Sequence, residues 1–78
     1  MKAKLYIKPT CPFCMRAVAL LKEKNIASEI FDVSNDPKLR AEISESVGGY
    51  RTVPMIFLDD KFVGGFSELQ ALNVEGNL

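Results

Sequence analysis

The stretch Leu5-Tyr6-Ile7-Lys8-Pro9-Thr10-Cys11-Pro12-Phe13-Cys14-Met15-Arg16-Ala17-Val18-Ala19-Leu20-Leu21 changes its periodicity partway along. Ala3 to Ile7 places Leu5 and Ile7 on one side of an extended chain and reads as a strand. Lys8-Pro9-Thr10 breaks it. From Phe13 to Lys24 the residues Ala17, Leu20, Leu21 and Lys24 recur at spacings of three and four, and good helix formers fill the segment. Pro12 suits the first turn of that helix, where its missing N–H costs nothing. Asn25 suits a left-handed stop. A strand therefore runs into a helix, with Cys11 and Cys14 at the junction.

Downstream the two periods alternate again. Ala27 to Asp32 reads as a second strand reaching Val33. Asp36 then caps a helix that has Pro37 at its first position. Leu39, Ile43 and Val47, spaced by fours, mark its inner face, and Gly48-Gly49 stops it. Met55-Ile56-Phe57-Leu58 is an apolar run of strand length. Asp59-Asp60 turns it back into Lys61-Phe62-Val63 as a hairpin, and Gly64-Gly65 closes that hairpin. Ser67-Glu68-Leu69-Gln70 has capping-box spacing with Ser67 as cap, so a last helix is expected up to about Asn73. The order β-α-β-α-β-β-α predicts two parallel strands joined by a right-handed crossover, extended by an antiparallel hairpin. The expected fold is α/β: a four-stranded mixed sheet with three helices, forming one domain over residues 1–78.

Composition narrows the function. The chain has 78 residues, ten basic and ten acidic side chains, and zero net charge. That balance gives no electrostatic reason to expect nucleic acid or an anionic membrane as partner. No stretch approaches the roughly 20 apolar residues of a membrane-spanning helix. Met1-Lys2-Ala3-Lys4 is not followed by the apolar run of a secretory leader, so a cytoplasmic protein is expected, with a monomer as the default. Two cysteines and no histidine are present. Without histidine there is no Cys–His or Ser–His pair, and a four-ligand zinc site would have to recruit carboxylates, which structural sites seldom do. No metal site is expected.

A helix N-terminus carries unsatisfied N–H groups and roughly half a positive charge. Cys11 stands there, and Lys8 three residues earlier adds positive charge. Cysteines in such settings ionise at about pH 3.5–7.5. Cys14 lies one turn further in and should be more buried. This arrangement suits an outer thiolate that attacks and an inner thiol that resolves. A static disulfide fits poorly, because a reducing compartment opposes it and so short a loop constrains the unfolded chain little. Lys8 also reads as a solvated lysine, Phe13 as an exposed ring beside the thiols, and Thr52-Val53-Pro54 as a turn into a strand. Gly64-Gly65 reads as a turn that also lets a ligand approach exposed amides. Tyr6 and Tyr50 read as packing residues.

Three segments, Lys8-Pro9-Thr10-Cys11-Pro12-Phe13-Cys14, Thr52-Val53-Pro54-Met55-Ile56-Phe57 and Gly64-Gly65-Phe66-Ser67-Glu68-Leu69, stand in order on this frame. Together they resemble the dithiol glutaredoxins of the thioredoxin-like fold over nearly the whole chain. The resemblance implies a thiol–disulfide oxidoreductase in which Cys11 is the nucleophile and Cys14 the resolving thiol. Glutathione would be the co-substrate, with no tightly bound cofactor. Glutathionylated or disulfide-containing proteins would be the substrates. It implies a cis bond before Pro54, a Val53 backbone that pairs with the substrate, and a glutathione groove lined by Lys8, Phe13 and Thr52 to Pro54. The glutathione carboxylate would meet the amides of Phe66 and Ser67 after Gly65, and its amine would sit near Ser67 or Glu68. Arg40, with Arg51 as another candidate, would meet the glycyl carboxylate. Two departures stand out: Phe13 replaces the family's usual Tyr, and Glu68 its usual Asp.

Two other functions fit the same pattern. One is a redoxin reduced by thioredoxin reductase that serves ribonucleotide reductase. Phe66 after Gly65 resembles the turn of such proteins, but Ser67-Glu68 replaces their Arg-Pro. The other is a glutathione-assisted [2Fe–2S] module, whose members usually carry Gly where Pro12 stands.

Overall fold

The computed structural model describes residues 1–78. The elements are β1 (Lys2–Ile7), α1 (Pro12–Glu23), β2 (Ala27–Asp32), α2 (Pro37–Ser46), β3 (Met55–Leu58), β4 (Lys61–Gly64) and α3 (Phe66–Val74). The four-stranded sheet has the order β2-β1-β3-β4. β1 runs parallel to β2, with Leu5 opposite Ile30, and antiparallel to β3, with Leu5 opposite Ile56 and Tyr6 opposite Met55. β3 and β4 form the expected hairpin. The expected thioredoxin-like arrangement of a mixed sheet and three helices is the one observed.

Local chemistry sets the joints. Asn25 takes φ 58°, and the amides of Asn25 and Ile26 bond the carbonyls of Lys22 and Leu21 at 3.1 and 3.0 Å, which closes α1 as expected. Asp36 caps α2, its carboxylate accepting from the Leu39 amide at 3.0 Å. Replacing Asp36 by Ala should cost about 1 kcal/mol, read as a lower urea midpoint with an unchanged slope; an unmoved midpoint would mean the cap adds nothing. Asp59 and Asp60 both have positive φ, 49° and 66°, which suits the twist of a two-residue hairpin. Asp59 also ties the hairpin to β1, accepting from the Lys2 amide at 3.0 Å.

The core lies on one face of the sheet. Ala3, Leu5, Ile7, Ile56 and Leu58 from the strands meet Cys14, Ala17 and Leu21 from α1 and Leu69 from α3. The period-2 alternation of β1 explains this, since Lys4 and Tyr6 fall on the other face. α2 stands outside that cluster. Leu39, Ile43 and Val47 are only half-buried, and no residue of α2 is buried. The expected inner face exists, and polar ties to the loop after the helix add to its packing: Ser44 Oγ donates to the Tyr50 carbonyl, and the Arg40 guanidinium to the Arg51 carbonyl at 3.0 Å.

One expected helix start is corrected. α3 begins at Phe66 with Gly65 as its N-cap, not at Ser67. Glu68, at the third helical position, reaches back to accept from the Gly65 amide at 2.8 Å. Glycine has no side chain to cap with, so this is half of a capping box. Ser67 lies inside the helix, and Gln70 has no part in the cap.

Candidate active site

Cys11 is the N-cap of α1, with Pro12 at the first helical position. The Cys11 amide bonds the Lys8 carbonyl at 3.0 Å, which turns the chain from β1 into the helix. The backbone at Cys11 is extended, so its sulfur swings back over the helix end and accepts from the Cys14 amide at 3.3 Å. Its other neighbour is the Val53 carbonyl, 3.8 Å away. Cys14 is fully buried and belongs to the core, while Cys11 is half-buried; both thiols are free.

The two thiols are driven apart. At Cys11, burial opposes ionisation, but it is outweighed by hydrogen bonding from the Cys14 thiol, by the amides of Cys14 and Phe13, and by the charge of Lys8, so its pKa falls below that of an ordinary cysteine. At Cys14, burial dominates and pushes the thiol up to about 12. The thiolate is therefore favoured at Cys11 and the protonated thiol at Cys14. Iodoacetamide should accordingly modify Cys11 well ahead of Cys14, with an inflection below that of a free thiol. Lys8→Gln should move the inflection upward, because losing a positive neighbour disfavours the thiolate; an unmoved inflection would remove Lys8 from this account.

Beside Cys11 lies a cavity of about 360 Å³. Thr52, Val53 and Pro54 form one wall from the loop before β3, Gly65, Phe66 and Ser67 form the other at the start of α3, and Phe13 and Tyr50 complete it. The Val53–Pro54 bond is cis. Phe13 is half exposed, with its ring 6.2 Å from that of Phe66.

Seven of the expected groove residues thus meet in one cavity: Phe13, Thr52, Val53, Pro54, Gly65, Phe66 and Ser67. Three others do not line it. Lys8 acts on Cys11 through its charge instead. Arg40 lines a separate concavity with Arg51, Ser44 and Tyr50. Glu68 stands behind the wall. One of its oxygens accepts from the Gly65 amide at 2.8 Å and the Tyr50 hydroxyl at 3.3 Å, and the other accepts from the Ser67 hydroxyl at 2.6 Å. Bonds from Ser67, Gly65 and Tyr50 hold its carboxyl below the usual carboxylate range, so it stays ionised.

Tyr50 is the residue sequence reasoning missed. It packs edge-on against Phe62, with ring centroids 5.1 Å apart, as a packing residue would, yet it also lines the cavity. Nothing in its local sequence sets it apart from Tyr6. The glycines are sterically required. Gly64 has φ +126°, and a Cβ there would lie 2.5 Å from Glu68 Oε1, while a Cβ on Gly65 would lie 2.8 Å from the Tyr50 hydroxyl oxygen.

Comparison with known proteins places these features in context. The family model described as Glutaredoxin matches residues 3–63. A Synechocystis sp. protein described as a probable glutaredoxin is 39% identical over 77 residues, covering 99% of this chain and 88% of that relative. The solution structure of a glutaredoxin from Brucella melitensis superposes with a TM-score of 0.83 at 42% identity, over 97% of this chain and 82% of that one. A buckwheat glutaredoxin–glutathione complex gives a TM-score of 0.88 at 23% identity, over 97% and 71% of the two chains, which shows the shared fold.

Proposed function

This chain belongs to the glutaredoxin family, whose chemistry is thiol–disulfide exchange, and from that premise we propose that its co-substrate is glutathione and that Cys11 and Cys14 divide the reaction between them. The observation that carries the reading is the placement of two free thiols one helical turn apart, Cys14 buried in the core and Cys11 capping α1 beside a cavity, a setting that drives their pKa values in opposite directions.

The thiolate of Cys11 attacks the glutathione sulfur of a protein–glutathione mixed disulfide. The old S–S bond breaks, the protein thiolate leaves and takes up a proton from solvent, and Cys11 carries the glutathione. The thiolate of a second glutathione then attacks that glutathione sulfur, releasing glutathione disulfide and restoring the Cys11 thiolate. With a protein disulfide, Cys11 attacks one substrate sulfur, the substrate S–S bond breaks, and the other sulfur leaves as a thiolate that takes up a proton from solvent. Cys14 then loses its proton as it attacks Cys11, and the departing substrate thiolate accepts a proton. Two glutathiones reduce the resulting Cys11–Cys14 disulfide. Burial of Cys14 keeps it protonated and idle until the mixed disulfide places an electrophilic sulfur beside it.

The groove supports glutathione as the ligand. The Val53 backbone lies beside Cys11 and makes no backbone–backbone hydrogen bond, so it suits an added peptide strand, and the amides opening α3 suit a carboxylate. We place Phe13, Thr52, Val53, Pro54, Gly65, Phe66 and Ser67, which line the cavity, against the ligand, with Lys8 acting on Cys11 beside it. Arg40, oriented by its bond to the Arg51 carbonyl, is assigned to the glycyl carboxylate from the neighbouring concavity. A free, monomeric protein in a reducing compartment fits this chemistry.

The test follows NADPH oxidation during reduction of a glutathione mixed disulfide, with glutathione and glutathione reductase in one arm and thioredoxin reductase alone in the other. Turnover confined to the first arm is expected. Turnover confined to the second would keep the exchange chemistry and remove glutathione from it.

A further inference from the structure

The groove wall beside α3 contains two hydroxyls, those of Tyr50 and Ser67, and both point their protons away from the groove. Each donates to Glu68: Tyr50 Oη to Oε1 at 3.3 Å and Ser67 Oγ to Oε2 at 2.6 Å. Glu68 can only accept, because its carboxyl is ionised and already holds the Gly65 amide at 2.8 Å. A hydroxyl has one proton and two lone pairs. Once that proton is committed, the hydroxyl meets a ligand only as an acceptor. Glu68 does not line the cavity, whereas its partners Gly65, Ser67 and Tyr50 all do. Its charge thus reaches the groove through the two hydroxyls rather than by direct contact.

Tyr50 is held where this requires. Its ring is pinned edge-on to Phe62 at 5.1 Å, its carbonyl receives the Ser44 hydroxyl, and its own hydroxyl sits so close over Gly65 that no Cβ fits between them. Tyr50 is also the one residue common to this cavity and to the neighbouring concavity that contains Arg40. It forms the ridge between the two.

We propose that Tyr50 is a specificity-determining residue of the groove, whose hydroxyl, its proton committed to Glu68, accepts from the primary ammonium of the bound peptide. This rests on the reading of the cavity as a glutathione site and adds a residue to it. The wall should select an ammonium over a neutral or acceptor group at this end, since an acceptor would face two oxygens with no proton to offer.

The experiment compares two chromogenic mixed disulfides of thionitrobenzoate, one with glutathione and one with glutaryl-cysteinyl-glycine, which lacks only the amine. Reduced protein is mixed with each, and release of the coloured thiolate is followed in a single turnover. Wild type should favour the glutathione disulfide. Tyr50→Phe, which keeps the ring on Phe62, should slow that reaction by roughly tenfold or more, the loss expected for one charge-assisted hydrogen bond. It should leave the des-amino disulfide within about twofold, since no ammonium is present to bond. Equal slowing of both disulfides would mean Tyr50 is only structural, and no slowing of either would mean it does not touch the ligand; each result overturns the proposal. A wild type inert toward both would overturn the glutathione reading itself, and the role of Tyr50 with it. The two failures are distinguishable, because the first leaves the wild type active.

Discussion

Cys11→Ser should abolish every activity of this protein, whereas Cys14→Ser should lose protein-disulfide reduction yet still remove glutathione from mixed disulfides. The asymmetry follows from the positions of the two sulfurs. Cys11 caps α1, beside the Cys14 amide and the Val53 carbonyl, and opens beside the cavity. Serine at position 11 keeps the cap but carries a hydroxyl that does not ionise near neutral pH, so no nucleophile remains. Cys14 is fully buried, and burial holds its thiol up to about 12, so it cannot open the reaction. On the proposed mechanism, removing it eliminates only the resolving step, and external glutathione should still release Cys11. The measurement is turnover of a glutathione mixed disulfide beside turnover of a protein disulfide for each variant. A dead Cys14→Ser beside a working Cys11→Ser would reverse the assignment.

A second large effect is expected far from the sulfurs. Leu69 is the only buried residue of α3, and it joins the core formed by β1, β3 and α1. Leu69→Ala should cost about 2–5 kcal/mol, the transfer loss plus the cavity left behind. A 78-residue chain has roughly 4–12 kcal/mol to lose. The thermal midpoint should therefore fall by roughly 10–20 °C or more. Function should follow stability, because α3 carries Gly65, Phe66 and Ser67 into the groove wall. Activity measured well below the new midpoint should show a raised KM for the glutathione disulfide, with a smaller change in kcat, since Cys11 sits on α1 and keeps its surroundings. A midpoint shift of only a degree or two would mean that the core does not anchor α3 through this residue.

Much of the architecture follows from short-range rules. The order of elements, the left-handed stop at Asn25, the Asp36 cap and the two-residue turn at Asp59-Asp60 each depend on residues within about one helical turn of one another. The placement of Cys11 is equally local: Pro9 ends a strand and Pro12 demands the first helical position, so Cys11 falls on the N-cap between them. A lowered thiol there is a consequence of sequence alone.

The groove is a long-range construction. Val53 reaches the Cys11 sulfur across 42 residues of chain because β3 pairs with β1 in the register that sets Met55 opposite Tyr6. The start of α3 shows why local reading falls short. Ser67 with Gln70 and Gly65 with Glu68 have the same spacing, and side-chain chemistry favours serine as a cap. The choice falls to Gly65 because that position is buried beneath the Tyr50 hydroxyl, with no room for a Cβ. Tyr50 and Arg40 are placed in the same way, by the loop that follows α2 rather than by any pattern around them. Periodicity and capping report on neighbours along the chain, whereas the walls of this site are made of residues that meet only once the sheet has closed.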